Sequence, residues 1–155
     1  MNEDEKWMKV AISEAYLAKN KGEIPVGAVL IQEGNLIARS HNQCIINNDP
    51  TAHAEVNVIR KAGKKLNNYR LLNASIYVTL EPCAMCLGAM MHARIDRIIY
   101  GASDPKTGVC GTCSNLTSAV FFNHKIDSFG GILETECQML LQNFFRSKRT
   151  SNKIV

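Results

Sequence analysis

The sequence predicts a layered α/β domain with a largely central sheet. Three observations carry that expectation. Apolar residues recur at helical spacing near both ends, β-branched runs occupy the middle, and helix-start signals fall between those runs. Strands alternating with helices bury a sheet between helical layers. With 155 residues the chain is long enough to bury a real core, and it is read as one domain over 1–155.

Met8, Ala11, Ile12 and Ala15 share one helical face, so a first helix is expected to run until Gly22 stops it. Val26 to Gln32 is a β-branched run, and Gly34-Asn35 turns it into Leu36 to Asn42 as a hairpin. Asp49-Pro50 opens a second helix, because proline is tolerated in a first turn. That helix is expected to reach Gly63 and to carry His53 and Glu55. Ser75 to Leu80 is a strand, ended by Glu81-Pro82, which opens a third helix from Cys83 to His92. Arg97 to Gly101 is a further short strand, and Ser103 to Ser118, rich in Gly, Thr, Ser and Pro, reads as a loop. Leu133, Cys137, Leu140, Leu141 and Phe144 form the apolar stripe of a last helix over 132–149.

Hydrophobic residues at 46% and charged residues at 21% describe a soluble globular protein. No run approaches the roughly 20 apolar residues of a membrane helix. The acidic opening Met1-Asn2-Glu3-Asp4-Glu5 leads into no apolar stretch, so no secretory signal is expected. The expected location is therefore a reducing cytoplasm. There the six cysteines, at 44, 83, 86, 110, 113 and 137, point to metal or catalysis before disulfides. The net charge is +4, and Arg146, Lys148, Arg149 and Lys153 cluster near the end. Such a cluster attracts a polyanion such as nucleic acid, or simply complements the dipole of a solvated helix end.

The chemistry concentrates in His53-Ala54-Glu55 and Pro82-Cys83-Ala84-Met85-Cys86. A closed structural zinc site takes four protein ligands, whereas a catalytic one takes three and leaves a position for water. His53, Cys83 and Cys86 make three, which reads as one Zn²⁺ per subunit. Cys83 and Cys86, three apart, share a face in a helix's first turn, where unpaired N–H groups favour thiolates. His53, near another helix start, is kept neutral there. Glu55 lies two residues further on and points away from the ligand direction. It is expected to serve as general base and then general acid rather than as a fourth ligand.

A second reading stays open. Cys110-Gly111-Thr112-Cys113 can join Cys83 and Cys86 in a four-cysteine structural site, or form a redox-sensitive pair. The 23 residues between Cys86 and Cys110 exceed the usual spacing of about 15–20, and that scheme leaves His53 and Glu55 unused. His41, His92 and His124 are not spaced as ligands and read as structural or surface histidines. Cys44 and Cys137 read as small buried apolar residues.

Further segments carry a resemblance: Asp49-Pro50-Thr51-Ala52-His53-Ala54-Glu55, Asn68-Tyr69-Arg70-Leu71, and Tyr77-Val78-Thr79-Leu80-Glu81-Pro82-Cys83-Ala84-Met85-Cys86, then Gly101-Ala102-Ser103-Asp104-Pro105-Lys106-Thr107-Gly108 and Asn143-Phe144-Phe145-Arg146. Over nearly its whole length the chain resembles the bacterial tRNA-specific adenosine deaminases, the TadA family. The resemblance implies a cytidine-deaminase-like three-layer α/β/α sandwich around a five-stranded mixed sheet, and a homodimer. It implies a tRNA anticodon stem-loop as partner, most often of an arginine tRNA, whose wobble adenosine becomes inosine. Zinc-activated water would attack C6 of the flipped-out base, with Glu55 moving the proton and ammonia leaving. By the same resemblance the backbone at Ala54 and Cys83 lies near that water, Asn42 at the base and ribose, and Asp104 beside the nucleotide backbone. Phe145, Lys148 and Arg149 belong to the C-terminal helix that meets the stem-loop.

Read from the residues alone, Asn42 can merely satisfy a turn. Phe144 fits the apolar stripe, which leaves Phe145 to stack on a base or to pack. Free-base deaminases, guanine deaminase above all, share Asp-Pro-Thr-Ala-His-Ala-Glu and Glu-Pro-Cys-x-x-Cys. The basic Phe-Phe-Arg end and the Asp-Pro-Lys-Thr-Gly loop favour the tRNA enzyme. Free-nucleoside cytidine deaminases typically place Cys where His53 stands. A catalytically dead RNA-binding subunit would have no use for Glu55.

Overall fold

Alternating apolar residues along the strands give the sheet two apolar faces, and each face buries against a pair of helices. The computed structural model describes residues 2–154, with side chains described through Thr150. In chain order come α1 (Glu3–Asn20), β1 (Gly27–Gln32), β2 (Asn35–His41), α2 (Ala54–Leu66), β3 (Ala74–Leu80), α3 (Ala84–Ala93), β4 (Arg97–Ala102), β5 (Asp127–Phe129) and α4 (Glu134–Ile154). The sheet order is β2-β1-β3-β4-β5. β1 runs antiparallel to both neighbours, and β3, β4 and β5 run parallel. The expected three-layer sandwich around a five-stranded mixed sheet is present.

Ala28, Leu30, Ile76, Val78 and Ile98 face α2 and α3, where they meet Val58, Ala62, Leu87 and Met90. Val29, Ile31, Tyr77 and Ile99 face the other way, against Met8, Ala11 and Ile12 of α1 and Cys137 of α4. This period-two split is what a sheet covered on both sides requires. Two glycines allow the close approach. A Cβ at Gly27 would run into the Ala11 carbonyl of α1, and one at Gly101 into Cys137 of α4. The Asn2 side chain accepts the Glu5 N–H at 2.8 Å and starts α1, and the acids of its first turn suit the helix dipole.

The boundaries differ from expectation where side chains capture the backbone. The second helix begins at Ala54, not at Asp49-Pro50, because Asp49 Oδ1 accepts both the Thr51 N–H (2.8 Å) and its hydroxyl (2.7 Å). That turn uses Asp49 locally and delays the helix. The third helix begins at Ala84, with Cys83 as its N-cap. The strand Asp127–Phe129 carries no β-branched residue and no turn signal of its own. It exists through parallel pairing with Arg97–Ile99 of β4. The last helix continues past 149 to Ile154. The Lys153 side chain of the basic cluster lies outside the described residues. Among the described residues no helix is long and apolar enough to cross a membrane.

Candidate metal centre and active-site cleft

The N-termini of α2 and α3 meet on the same face of the sheet. His53 and Cys83 are the two N-cap residues, both in extended backbone, and neither side chain caps its own helix. Both are therefore turned towards each other. His53 Nδ1 stands 3.7 Å from Cys83 Sγ and 3.4 Å from Cys86 Sγ. All three ligand atoms lie within 4.8 Å of one another. Zinc bonds of about 2.3 Å to sulfur and 2.0–2.1 Å to nitrogen, at tetrahedral angles, give N···S edges of about 3.6 Å. The two N···S distances thus match edges of such a tetrahedron, and the trio can hold a metal ion. Cys83 and Cys86 converge as N-cap and third helical residue, rather than as two residues within a first turn.

Glu55 sits in the first turn of α2, 4% exposed, and lines the same cleft. Burial lifts its carboxyl to about 7, with the Cys83 charge adding to the rise. A group at that value accepts and returns a proton near neutrality. The hydrogen bond from Cys86, followed by that from His53, draws the Cys83 thiol down to about 4 against the cost of its burial. Cys86 is pushed up by its bond to Cys83 and by burial. His53 is raised, chiefly by its hydrogen bond with Cys83.

Hydrogen bonds clamp the turn that presents His53 and Glu55. Asn42 Oδ1 accepts the Ala54 N–H at 2.7 Å, so two residues expected at the substrate are bonded to each other. Asn57 donates to the His41 carbonyl (2.9 Å) and the Ala52 carbonyl (3.1 Å). Asn57 carried no signal in the sequence, and neither did three buried glutamates. Glu14 accepts from His41 Nδ1 (3.0 Å) and Arg39 Nε (2.9 Å). Glu23 accepts the N–H groups of Ile45 (3.1 Å) and Ile46 (2.9 Å). Glu81 accepts from the loop after β4. Their partners lie more than twenty residues away in sequence, beyond any local pattern.

The cleft has a volume of about 650 Å³, within the range of small-molecule and nucleoside sites. It is lined by Asn42, His53, Glu55 and Cys83, here called its floor, and by two further groups, here called its walls: Asp104 and Lys106 of the loop after β4, and Phe145, Arg146 and Arg149 of α4. Gln142, Phe145, Arg146 and Arg149 follow the three- and four-residue spacing of one helix face. Lys148 lies off that face, and its Nζ sits over the Phe144 ring at 5.5 Å, away from the cleft. Arg146 takes the cleft position instead. Phe144 is buried (7% exposed) while Phe145 is 42% exposed, as the stripe predicts. Asp104 accepts the N–H groups of Lys106 (2.9 Å) and Thr107 (3.2 Å) through one oxygen and the Thr107 hydroxyl through the other. These bonds outweigh the effect of burial and hold its carboxyl below the usual range.

Cys110 and Cys113 stand apart from the trio. Among the described residues the one group of metal-ligating side chains is His53, Cys83 and Cys86. Cys110 is buried and Cys113 exposed. Cys137 is buried as expected, whereas Cys44 is only half-buried because it lies in the turn before Asp49. His41 pairs with Glu14 in the interior, His124 bonds to the Ile95 carbonyl at 2.7 Å, and His92 is exposed. All three are structural or surface histidines.

Comparison with known proteins agrees with this geometry. The MafB19-like deaminase family model matches residues 2–149. A curated relative from Bacillus subtilis (strain 168), named tRNA-specific adenosine deaminase, is 47% identical over 153 residues, covering 99% of this chain and 95% of the relative. A solved structure from work on A-to-I editing by tRNA:A34 deaminases at the wobble position superposes with a TM-score of 0.83. It is 44% identical and covers 88% of this chain and 99% of its own. A guanine deaminase structure from Bacillus subtilis superposes with a TM-score of 0.62, at 45% identity over 66% of each chain. On this sequence identity and near-complete coverage, the chain belongs to the family of the tRNA-specific adenosine deaminases.

Proposed function

We propose that this protein is a zinc-dependent deaminase that converts the wobble adenosine of a tRNA anticodon to inosine. One observation carries the reading. A nucleoside-sized cleft is lined by His53 and Cys83 of the trio and by a buried carboxylate, and also by Lys106, Phe145, Arg146 and Arg149. A free base carries no phosphates for those three cations, whereas an anticodon loop presents several to them and an unstacked base to the aromatic ring.

Zinc held by His53, Cys83 and Cys86 supplies Lewis-acid chemistry that acidifies a water from a pKa of about 15.7 towards ~7. Glu55 Oε takes the proton of the attacking water and hands it to the purine ring nitrogen. It then takes the proton of the hydroxyl now on C6 and passes it to the amino group, which leaves as ammonia while C6 becomes a carbonyl. Burial raises that carboxyl above the ordinary carboxylate range, which suits a group that both takes and returns a proton. Asn42 uses its Oδ1 on the Ala54 N–H, which leaves its amide N–H groups to face the base or ribose. Cys83 borders the same space, and Ala54, its N–H taken by Asn42, lies buried between His53 and Glu55, which both line it. Phe145 stacks on a base of the loop, and Arg146 and Arg149 meet phosphates. Asp104 shapes the wall on which Lys106 stands, close to the nucleotide backbone. Lys148, held over Phe144, adds charge to the outer side of α4.

The proposal includes a cytoplasmic homodimer. Ile45, Ile46 and Phe121 expose 66%, 59% and 69% of their surface, which supports an apolar contact between copies, and sedimentation tests it. The substrate reading is tested by incubating the protein with an anticodon stem-loop RNA bearing adenosine at the wobble position, and separately with guanine. Inosine in the RNA without xanthine from guanine is the expected result. Xanthine without inosine would move the chain to the free-base deaminases.

A further inference from the structure

Glu81 follows β3 and stands two residues before Cys83, yet the chemistry above makes no use of it. Its side chain is 2% exposed, and its hydrogen bonds all run to one segment. Oε1 accepts the Asp104 N–H at 3.1 Å, and Oε2 accepts the N–H groups of Cys110 (2.9 Å) and Thr112 (3.1 Å). The Thr112 hydroxyl also donates to Oε1. The main chain adds two bonds, from the Glu81 N–H to the Ala102 carbonyl (2.8 Å) and from the Val109 N–H to the Pro82 carbonyl (3.1 Å). Gly108 packs so closely on the carboxyl group that a Cβ there would collide with it. Three main-chain amides and a hydroxyl therefore converge on one carboxylate, an acceptor-only group with two oxygens to offer.

The segment needs such an anchor. Residues 103–113 form turns without a helix or strand of their own, and Pro105, Lys106 and Thr107 are exposed. Only Val109 and Cys110 of the segment reach the apolar core, so the order of the rest depends on its hydrogen bonds. We propose that Glu81 is a positioning residue for substrate recognition: it fixes the 103–112 wall against the metal-ligand turn. It thereby sets where Asp104, Lys106 and Thr107 meet an RNA. This rests on the RNA-editing reading for its substrate, but the anchoring itself does not.

Glu81→Gln keeps the size of the side chain and turns one acceptor oxygen into a donor that opposes the loop amides. Four quantities are read: bound zinc, hydrogen exchange of individual amides, and kcat and KM on the wobble-adenosine stem-loop. Zinc should stay at about one per chain. Protection of the Asp104, Cys110 and Thr112 amides should fall about tenfold or more, and KM should rise about tenfold with kcat within about twofold. Thr112→Val, at an exposed position, should raise KM about threefold, and it decides the matter if Glu81→Gln does not fold. Unchanged amide protection with unchanged KM overturns the proposal, as does loss of zinc and kcat at unchanged KM. If the wild-type protein edits no RNA, the substrate reading fails instead, and amide exchange still decides whether Glu81 holds the wall.

Discussion

The floor and the walls of the cleft are built by different means. The floor consists of two helix N-termini seated on one face of the sheet, joined by Asn42 from just past the end of β2, and each motif supplies its residues within a few positions of sequence. The walls consist of a turn-rich loop, held by hydrogen bonds across long sequence intervals, and the exposed face of α4, which packs on the sheet through Cys137 and Leu141. The guanine deaminase structure and the tRNA:A34 deaminase structure both superpose on this chain. A deaminating floor therefore suits more than one substrate, and the walls must select among them. Chemistry is fixed by rigid elements, and choice of substrate by what surrounds them.

This division can be broken or sharpened by substitution. The largest effect is expected at Glu55. Glu55→Ala should lower turnover by roughly 10²–10⁴-fold while zinc and RNA affinity are retained, as read by single-turnover inosine formation and metal analysis. Substantial remaining turnover would take the proton transfers away from this carboxylate.

Glu14 tests what keeps the floor rigid, since it ties His41 and Arg39 of β2 to α1. Glu14→Gln should cost about 1–3 kcal/mol in denaturant unfolding near neutral pH. Burial alone would raise its carboxyl, but bonds from His41 and Arg39 hold it below the ordinary 4.5 in the folded protein. The stabilisation is therefore present above the unfolded value and lost as pH falls through the folded one. The gap between wild type and variant should shrink as pH drops from about 6 to 3, and a gap that widened there would contradict the pairing.

Smaller effects separate neighbouring cations on α4. Lys148→Ala should change stem-loop affinity by less than about twofold, whereas Arg146→Ala should weaken it about fivefold at low salt. Equal losses from the two would place Lys148 at the cleft after all. The smallest effect is expected from Cys110→Ser combined with Cys113→Ser, which should leave bound zinc at about one per chain. Zinc loss there would restore the four-cysteine reading.

What could be read from the sequence follows the same division. The grouping of His53, Cys83 and Cys86, with Glu55 in the same cleft, was legible because it rests on residue type and short spacing. Even so, Asp49 closed a turn and moved the helix start to Ala54, a competition that a helix-start signal does not reveal. The four longer strands were legible from β-branched runs, whereas Asp127–Phe129 owes its existence to a neighbour, β4. Glu14, Glu23 and Glu81 look like ordinary surface acids in sequence. Their burial depends on distant amides and cations that only the folded chain brings together. On α4, charge alone grouped Lys148 with Arg149, and helical phase separated them.

The division between floor and walls is tested most directly by steady-state kinetics of Arg146→Ala combined with Arg149→Ala on the wobble-adenosine stem-loop. The account predicts a KM raised about tenfold, a shallower salt dependence, and a kcat within about twofold of wild type. A fall in kcat at unchanged KM would contradict it, because those arginines would then act on the reacting base rather than on the RNA that carries it.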